Sequence, residues 1–376
     1  MKNSILFKKI EDKTIAWFEK NNKYVIYEHA TANIVKQLEN GVSSKDIATE
    51  LSTQLDIPLE EALKFIKNLE KDIEKIKLQK TEGFYQKIKP TKKNRKYEYT
   101  YHYQINNTII KIDYLSDLEL SYVHPKFNHL TVENSLKSDH VFEVFLDKNF
   151  MYLIVDNILI GSWDKENIHY FQGKVSMEIL QKIHGKEEKK WLGIFHASAV
   201  CNQKKAVLFL GDSGNGKSTS LALLQSIGFT CLADDFVPVL ANKREVYSFP
   251  SAISIKKNSL DILLPIYPEL ANSAEYNFKR LNKIVRYLKP NITNYKQHLP
   301  CKELVFIKYE KGSDFEFKEM PKTLAFQKLV PDSWLSPHKE NAVNFLDWFD
   351  TLKCYELKYS DNAKMINAVK LLFKKE

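Results

Sequence analysis

The sequence is poor in the residues that make irregular or stapled folds. Among 376 residues there are only 11 Gly, 12 Pro and 4 Cys. So little Gly and Pro excludes collagen-like and low-complexity character. Cys201, Cys231, Cys301 and Cys354 are widely separated, and none forms a CxxC-type pair. Neither a dithiol metal or redox site nor a disulfide framework is expected, which favours a reducing compartment. Long apolar runs are lacking too. The most apolar stretch, 150–160, is broken by Asp156 and Asn157, so no segment spans a bilayer. The opening MKNSILFKKIEDK lacks the apolar length of a signal peptide. The expectation is a cytoplasmic protein with no membrane partner. What is present is ordinary for a globular chain of two or three domains: 44% hydrophobic and 27% charged residues. Lys+Arg number 56 against 47 Asp+Glu, a formal +9. That excess fits a solvated lysine-rich surface or an anionic partner: a nucleotide, an acidic peptide or a nucleic acid.

The pattern along the chain predicts an α/β multidomain protein. Residues 1–80 carry β-type runs at 5–7, 14–19 and 23–28, with an Asn21-Asn22 turn. Three helical patterns come next. The first spans about 29–39, with Gly41 just past its end. The second begins at Ser43/Ser44, where Ser43 and Asp46 resemble a capping box, and aligns Ile47, Ala48, Leu51 and Leu55. The third starts near Pro58 and places Ala62, Phe65, Ile66, Leu69, Ile73 and Ile76 on one stripe. This is a winged-helix-like α+β module. Residues 81–96 read as a basic linker, with Lys87, Lys89, Lys92, Lys93, Arg95 and Lys96. Residues 97–193 read as a β-rich middle region. Tyr97, Tyr99, Tyr101 and Tyr103 alternate at period two, and two hairpin signals stand at 147–149 and 156–157.

The chemistry concentrates in 194–376. Ala206–Leu210 is an apolar strand pattern, and GDSGNGKS (211–218) fits GxxxxGK[ST] before a helical run at 219–227. Strand, loop and helix stand in the order a phosphate-binding loop requires. Gly211, Gly214 and Gly216 free the backbone to turn its N–H groups inward, and the helix aims its positive end at the same place. The loop set is Gly211, Asp212, Ser213, Gly214, Asn215, Gly216, Lys217, Ser218 and Thr219. Lys217 supplies a cation for the terminal phosphates, and Ser218 a hydroxyl for Mg²⁺. A short strand then ends in Asp234-Asp235. One carboxylate there can serve Mg²⁺, and the other can accept a proton from an attacking hydroxyl. The assignment is open, with Asp235 favoured as base and Asp234 as the metal-side residue. His196, upstream of the loop, is positioned to approach the γ-phosphate.

HASAV, GDSGNGKS and GF-x-x-LADD together resemble the C-terminal domain of HPr kinase/phosphorylase and its serine-kinase relatives. The resemblance implies a P-loop domain of phosphoenolpyruvate-carboxykinase-like fold that uses ATP and Mg²⁺ to phosphorylate a serine. His196, Lys217, Ser218, Asp234 and Asp235 then fall on the family's functional positions. The strong match covers roughly 194–240. Two departures speak against phosphorolysis and against HPr as substrate: Thr219 stands where the bifunctional enzymes carry Glu, and their Gly-rich second signature is missing. Lys256 and Lys257, after FPSAIS, are expected to add positive charge near the phosphates. The first 80 residues resemble a PqqD-like module, the recognition element of ribosomal-peptide pathways. That resemblance implies leader-peptide capture as an added strand beside 23–28, walled by the helix of 58–76. The combination resembles peptide-tailoring kinases of the lasso-peptide type. The family's oligomers extend the expectation to a homo-oligomer.

The reading is therefore a kinase acting on a Ser/Thr hydroxyl of a precursor peptide. Two rivals stay open: a kinase of a small-molecule hydroxyl or folded carrier protein, and a nucleotide-gated DNA-binding regulator. Glu60, Glu61, Glu70 and Glu74 on the third helix disfavour nucleic acid.

Overall fold

The computed structural model describes residues 5–79, 86–91, 95–133, 137–278 and 283–374. Of the basic segment expected at 81–96, residues 81–85 and 92–94, Lys92 and Lys93 included, lie outside the described residues. The chain folds as two units. The first takes the described residues of Met1–Glu82 together with Pro321–Pro331 and Leu335–Thr351. The second takes those of Gly83–Met320, Asp332–Trp334 and Leu352–Glu376.

In the first unit, β1 (Ile5–Ile10), β2 (Lys13–Phe18) and β3 (Lys23–Glu28) form an antiparallel meander. The central strand β2 is buried on both faces: Ile15, Ala16, Trp17 and Phe18 are all inaccessible. The helices are α1 (His29–Glu39), α2 (Ser44–Leu55) and α3 (Leu59–Leu78). Ser43 caps α2, accepting the Asp46 N–H at 3.1 Å and donating to its carboxylate at 2.7 Å. Pro58 is the residue before the first turn of α3, where its missing N–H costs nothing. Ala62, Ile66, Leu69 and Ile73 of α3 enter a core with Ala16, Phe18, Ile34, Val35, Ile47 and Ala48. The expected stripes are too wide. Phe65 is 44% exposed and Leu55 60% exposed, because a helix covered on one side buries only a narrow band. The helices Lys322–Leu329 and Lys339–Thr351 belong to this unit. Tyr24 packs edge-on against Phe326 and Phe345, with ring centres 5.8 and 5.5 Å away, and Lys8 pairs with Asp347 at 2.9 Å. The sequence pattern assigns this segment to a single 194–376 domain. Its aromatic face is completed by residues some 300 positions earlier, which no local pattern reveals.

The second unit begins with a six-stranded sheet of β4 (Tyr99–Ile105), β5 (Thr108–Tyr114), β6 (Thr131–Val132), β7 (His140–Asp147), β8 (Phe150–Val155) and β9 (Ile158–Asp164), in the order β6-β4-β5-β7-β8-β9. The two hairpin turns carry positive φ at Lys148, Asp156 and Asn157. The tyrosine stripe is half-buried: Tyr103 is enclosed, its hydroxyl bonding Tyr114 and His124 at 2.9 and 2.7 Å, while Tyr97, Tyr99 and Tyr101 are partly covered. Two helices are added that the strand pattern hides, α4 (Asp117–Phe127) and α5 (Ile168–His184). Both pack on this sheet. No unit boundary separates 97–193 from the strand that begins at Trp191 or from the P-loop region after it.

The remainder supplies β10 (Trp191–Phe195), β11 (Ser198–Cys201), β12 (Ala206–Leu210), α6 (Lys217–Ser226), β13 (Thr230–Asp234), β14 (Val237–Leu240), β15 (Glu245–Tyr247), β16 (Ile253–Lys256), β17 (Tyr276–Phe278), β18 (Lys283–Leu288) and β19 (His298–Tyr309). A large mixed sheet runs β13-β11-β12-β19-β15-β14-β10. β19 lies parallel to β12 and also to the strand Lys353–Tyr359. The all-buried β12 sits in this parallel centre, as expected for a strand covered on both faces. Phe209, Leu221, Leu224, Val305, Ile307, Leu357 and Val369 fill one core cluster, with α6 and the last helix, Asn362–Lys374, over the sheet. The four cysteines are buried free thiols. Among the described residues no helix is long and apolar enough to cross a membrane.

Candidate active site

β12 ends at Leu210, and the chain turns at once into the loop at the carboxyl ends of three parallel strands. In open α/β sheets ligands bind at that end. The loop depends on its glycines. Gly211 has φ +133°, and a Cβ there would lie 2.7 Å from the Ile307 carbonyl oxygen. Gly216 has φ +93°, and its Cβ would stand 3.0 Å from the Tyr359 hydroxyl. Asn215 ties the loop down rather than lining its mouth: its N–H donates to the Asp212 carbonyl at 3.1 Å, and its carbonyl accepts the Tyr309 N–H at 3.0 Å. α6 then begins at Lys217, with its first N–H groups facing the loop.

Lys217 is buried, and its ammonium donates to the Gly211 carbonyl and, at 3.4 Å, to that of Asp212. Burial pulls its pKa down, partly offset by Asp235, Asp234, Asp332 and Asp212. Thr219 takes no part in the acidic cluster; its hydroxyl shares a hydrogen bond with Ser259 at 2.8 Å. Lys256 at the end of β16 donates to the Ser213 hydroxyl at 3.0 Å.

The two aspartates have different surroundings because β13 ends between them. Asp234 is the last strand residue, opposite Ser198 in the β11–β13 register. It is 1% exposed. Its Oδ1 accepts from Ser198 at 2.5 Å and from Ser218 at 3.1 Å, and its Oδ2 accepts the Ser254 N–H at 3.1 Å. Burial, with the neighbouring Asp235 second, raises its pKa; the three hydrogen bonds oppose the rise. Asp235 leaves the strand with φ +67° and donates its N–H to the Ala197 carbonyl at 2.9 Å. Its carboxylate reaches out to His196 Nδ1 at 3.0 Å and Lys126 Nζ at 3.3 Å.

His196, Asp235 and the loop residues Asp212, Ser213, Gly214, Gly216, Lys217, Ser218 and Thr219 therefore line one pocket, with Tyr309 and Tyr359. Asp234 lies behind it. Sequence reasoning does not find Ser198, Ser254 or Lys126. Ser198 opens β11 after a bend at His196 and Ala197, so no strand alternation relates it to His196. Lys126 carries no signal, being brought in from α4.

Among the described residues no three His, Cys, Asp or Glu side chains cluster to hold a metal by themselves. Nucleotide-bound Mg²⁺ needs no such cage: it takes one or two protein oxygens, with phosphate and water supplying the rest. The touching Ser218 and Asp234 oxygens meet that requirement.

No protein-family model and no curated protein matches the chain. Among solved structures it is similar to the HPr(Ser) kinase/phosphatase from Coxiella burnetii, at 11% identity, covering 48% of this chain and 97% of that one, with a TM-score of 0.23. So slight a likeness carries no assignment, and the functional reading rests on the site's own geometry.

Proposed function

We propose that the chain is an ATP- and Mg²⁺-dependent kinase that transfers the γ-phosphoryl group to a Ser or Thr hydroxyl of a precursor peptide. The observation that carries this reading is the convergence, on one pocket, of a glycine loop with its buried lysine, the Ser218 hydroxyl backed by the Asp234 carboxylate behind the pocket, and the Asp235 carboxylate on the open side. In the proposed reaction the loop N–H groups and Lys217 hold the phosphates of the substrate nucleotide. Ser218 and Asp234 are the residues that would hold Mg²⁺, which when bound neutralises charge on the transferring group. Asp235 takes the acceptor's hydroxyl proton. The hydroxyl oxygen forms the new O–P bond as the bond to the β–γ bridging oxygen breaks, and ADP leaves. His196 and Lys126 hold the Asp235 carboxylate in place. Positioning and charge neutralisation are what this chemistry asks of a protein.

The N-terminal unit is proposed to capture the peptide's leader, in the manner of a PqqD-like module. Two features support this. β3 is at the edge of its three-stranded sheet, so an extended peptide can be added beside it. α3, the helix expected to form the other wall, leaves Phe65 44% exposed. The test uses the full chain with ATP, Mg²⁺ and candidate precursor peptides, each offered with and without its leader. A gain of one phosphate, seen by intact mass only when the leader is attached, supports the reading. Equal gain on leaderless peptide would remove the capture role. Nucleotide binding without gain on any peptide would favour a small-molecule or carrier-protein acceptor.

A further inference from the structure

A second cleft, of about 790 Å³, adjoins the loop pocket and meets it at His196, Asp235 and Lys256. One of its walls comes from outside the P-loop region. Lys126 projects from α4, and His169, Gln172, Gly173 and Ser176 form one stripe of α5, at the helical spacing of three and four residues. Phe236, Phe249 and Tyr287 add an aromatic side, with Phe236 and Phe249 in ring contact at 4.5 Å. The walls are braced: Gln172 donates to the Tyr122 carbonyl at 2.7 Å, joining α5 to α4, and the Lys126 carbonyl accepts the Ala252 N–H at 2.8 Å.

We infer that this cleft seats the phosphoryl acceptor, a Ser- or Thr-bearing peptide segment with an apolar residue against Phe236 and Tyr287. The inference rests on the kinase reading above. Among the described residues Asp235 is the carboxylate that lines both pockets in the open; Asp212 lines the loop pocket alone, and Asp234, 1% exposed, is held by Ser198, Ser218 and the Ser254 N–H. A proton acceptor for this reaction has to face the phosphate on one side and the hydroxyl on the other. The cleft is also far larger than one hydroxymethyl group and lies in the range of sites that enclose several residues' worth of ligand. The strand-and-helix region of 97–193 thereby acquires a role: it builds the acceptor side of the site.

Gly173 makes the cleft testable. Nothing lies within 4 Å of the position its Cβ would take, so a larger side chain there enters open space, and leucine is a better helix former than glycine. The probes are ATP and an ATP ester whose γ-phosphate is linked to N-acetylserinamide, each titrated with Mg²⁺ into the full chain. Gly173→Leu is expected to weaken the ester about tenfold or more while leaving ATP within twofold. His169→Trp, at an exposed position on the same wall, should do the same and does not depend on how the helix tolerates residue 173. Thermal melting checks that each variant is folded. If folded variants bind both probes as the native chain does, the cleft is not the acceptor seat, and the kinase reading stands without it. If the native chain binds neither probe, the kinase reading falls and the inference falls with it.

Discussion

Asp234→Asn should make the protein more stable and catalytically silent at once. The carboxylate is 1% exposed, and its raised pKa, caused first by burial and then by Asp235, means that its surroundings favour the uncharged form. Asparagine is that form in nearly the same shape. It can keep its oxygen toward the Ser254 N–H and turn its amide toward Ser198 and Ser218, whose hydroxyls accept as readily as they donate. Weakening three charge-assisted bonds costs about 1 kcal/mol each, whereas burying an ion costs several kcal/mol. The net gain expected is about 1–2 kcal/mol, at roughly 2–4 °C per kcal/mol. The pH dependence has a defined sign. Because the folded pKa lies above the unfolded value of 3.8, the folded wild type binds the extra proton and loses stability as pH rises from 3.8 through the folded pKa. The variant lacks that slope, so its advantage is full above the folded pKa and closes toward 3.8. Thermal melting without nucleotide from about pH 4 to 8 measures both effects, and Mg²⁺-dependent nucleotide binding should fall in parallel. A variant that melts several degrees below wild type at pH 8 would refute this reading of the buried carboxylate.

Lys217→Ala removes the buried cation of the loop and should weaken nucleotide binding about 10- to 100-fold, the equivalent of roughly 1.5–3 kcal/mol for a charged hydrogen bond, as read by titration. Asp235→Asn should lower the transfer rate about 10²- to 10⁴-fold, the usual contribution of a general base, with nucleotide affinity nearly unchanged; equal loss of both would contradict its place on the acceptor side. Gly211→Ala combines a φ of +133° with a 2.7 Å approach to the Ile307 carbonyl and should destabilise by about 2–4 kcal/mol. Gly173→Ala, in open space on a helix, should instead stabilise by about 0.5–1 kcal/mol; urea unfolding distinguishes the two.

Local signals carry much of this architecture. Ser43 and Asp46 announce the start of α2 because the cap is made within four residues. The loop is legible because GxxxxGK[ST] encodes backbone freedom and charge directly. The separate surroundings of Asp234 and Asp235 follow strand alternation only in outcome: β13 ends at Asp234, and Asp235 turns toward the pocket through a left-handed backbone at φ +67°. Other features depend on distant neighbours. α5 buries Phe171, Val175, Met177, Ile179, Leu180 and Ile183 around much of its circumference, so it shows no single apolar stripe. α4 contains Pro125 within its last turn, which argues against a helix when read alone. Both helices are thus hidden among strands, and with them Lys126 and the second cleft. Tyr24 meeting Phe326 and Phe345 is equally invisible locally, and it places a C-terminal segment with the N-terminal unit.

The most direct test of the central claim is intact-mass spectrometry of leader-bearing precursor peptides incubated with ATP, Mg²⁺ and either the native chain or Lys217→Ala. The expected result is one added phosphate on a Ser or Thr with the native chain and none with the variant. Phosphorylation that survives Lys217→Ala would contradict the assignment of the loop and of everything built around it.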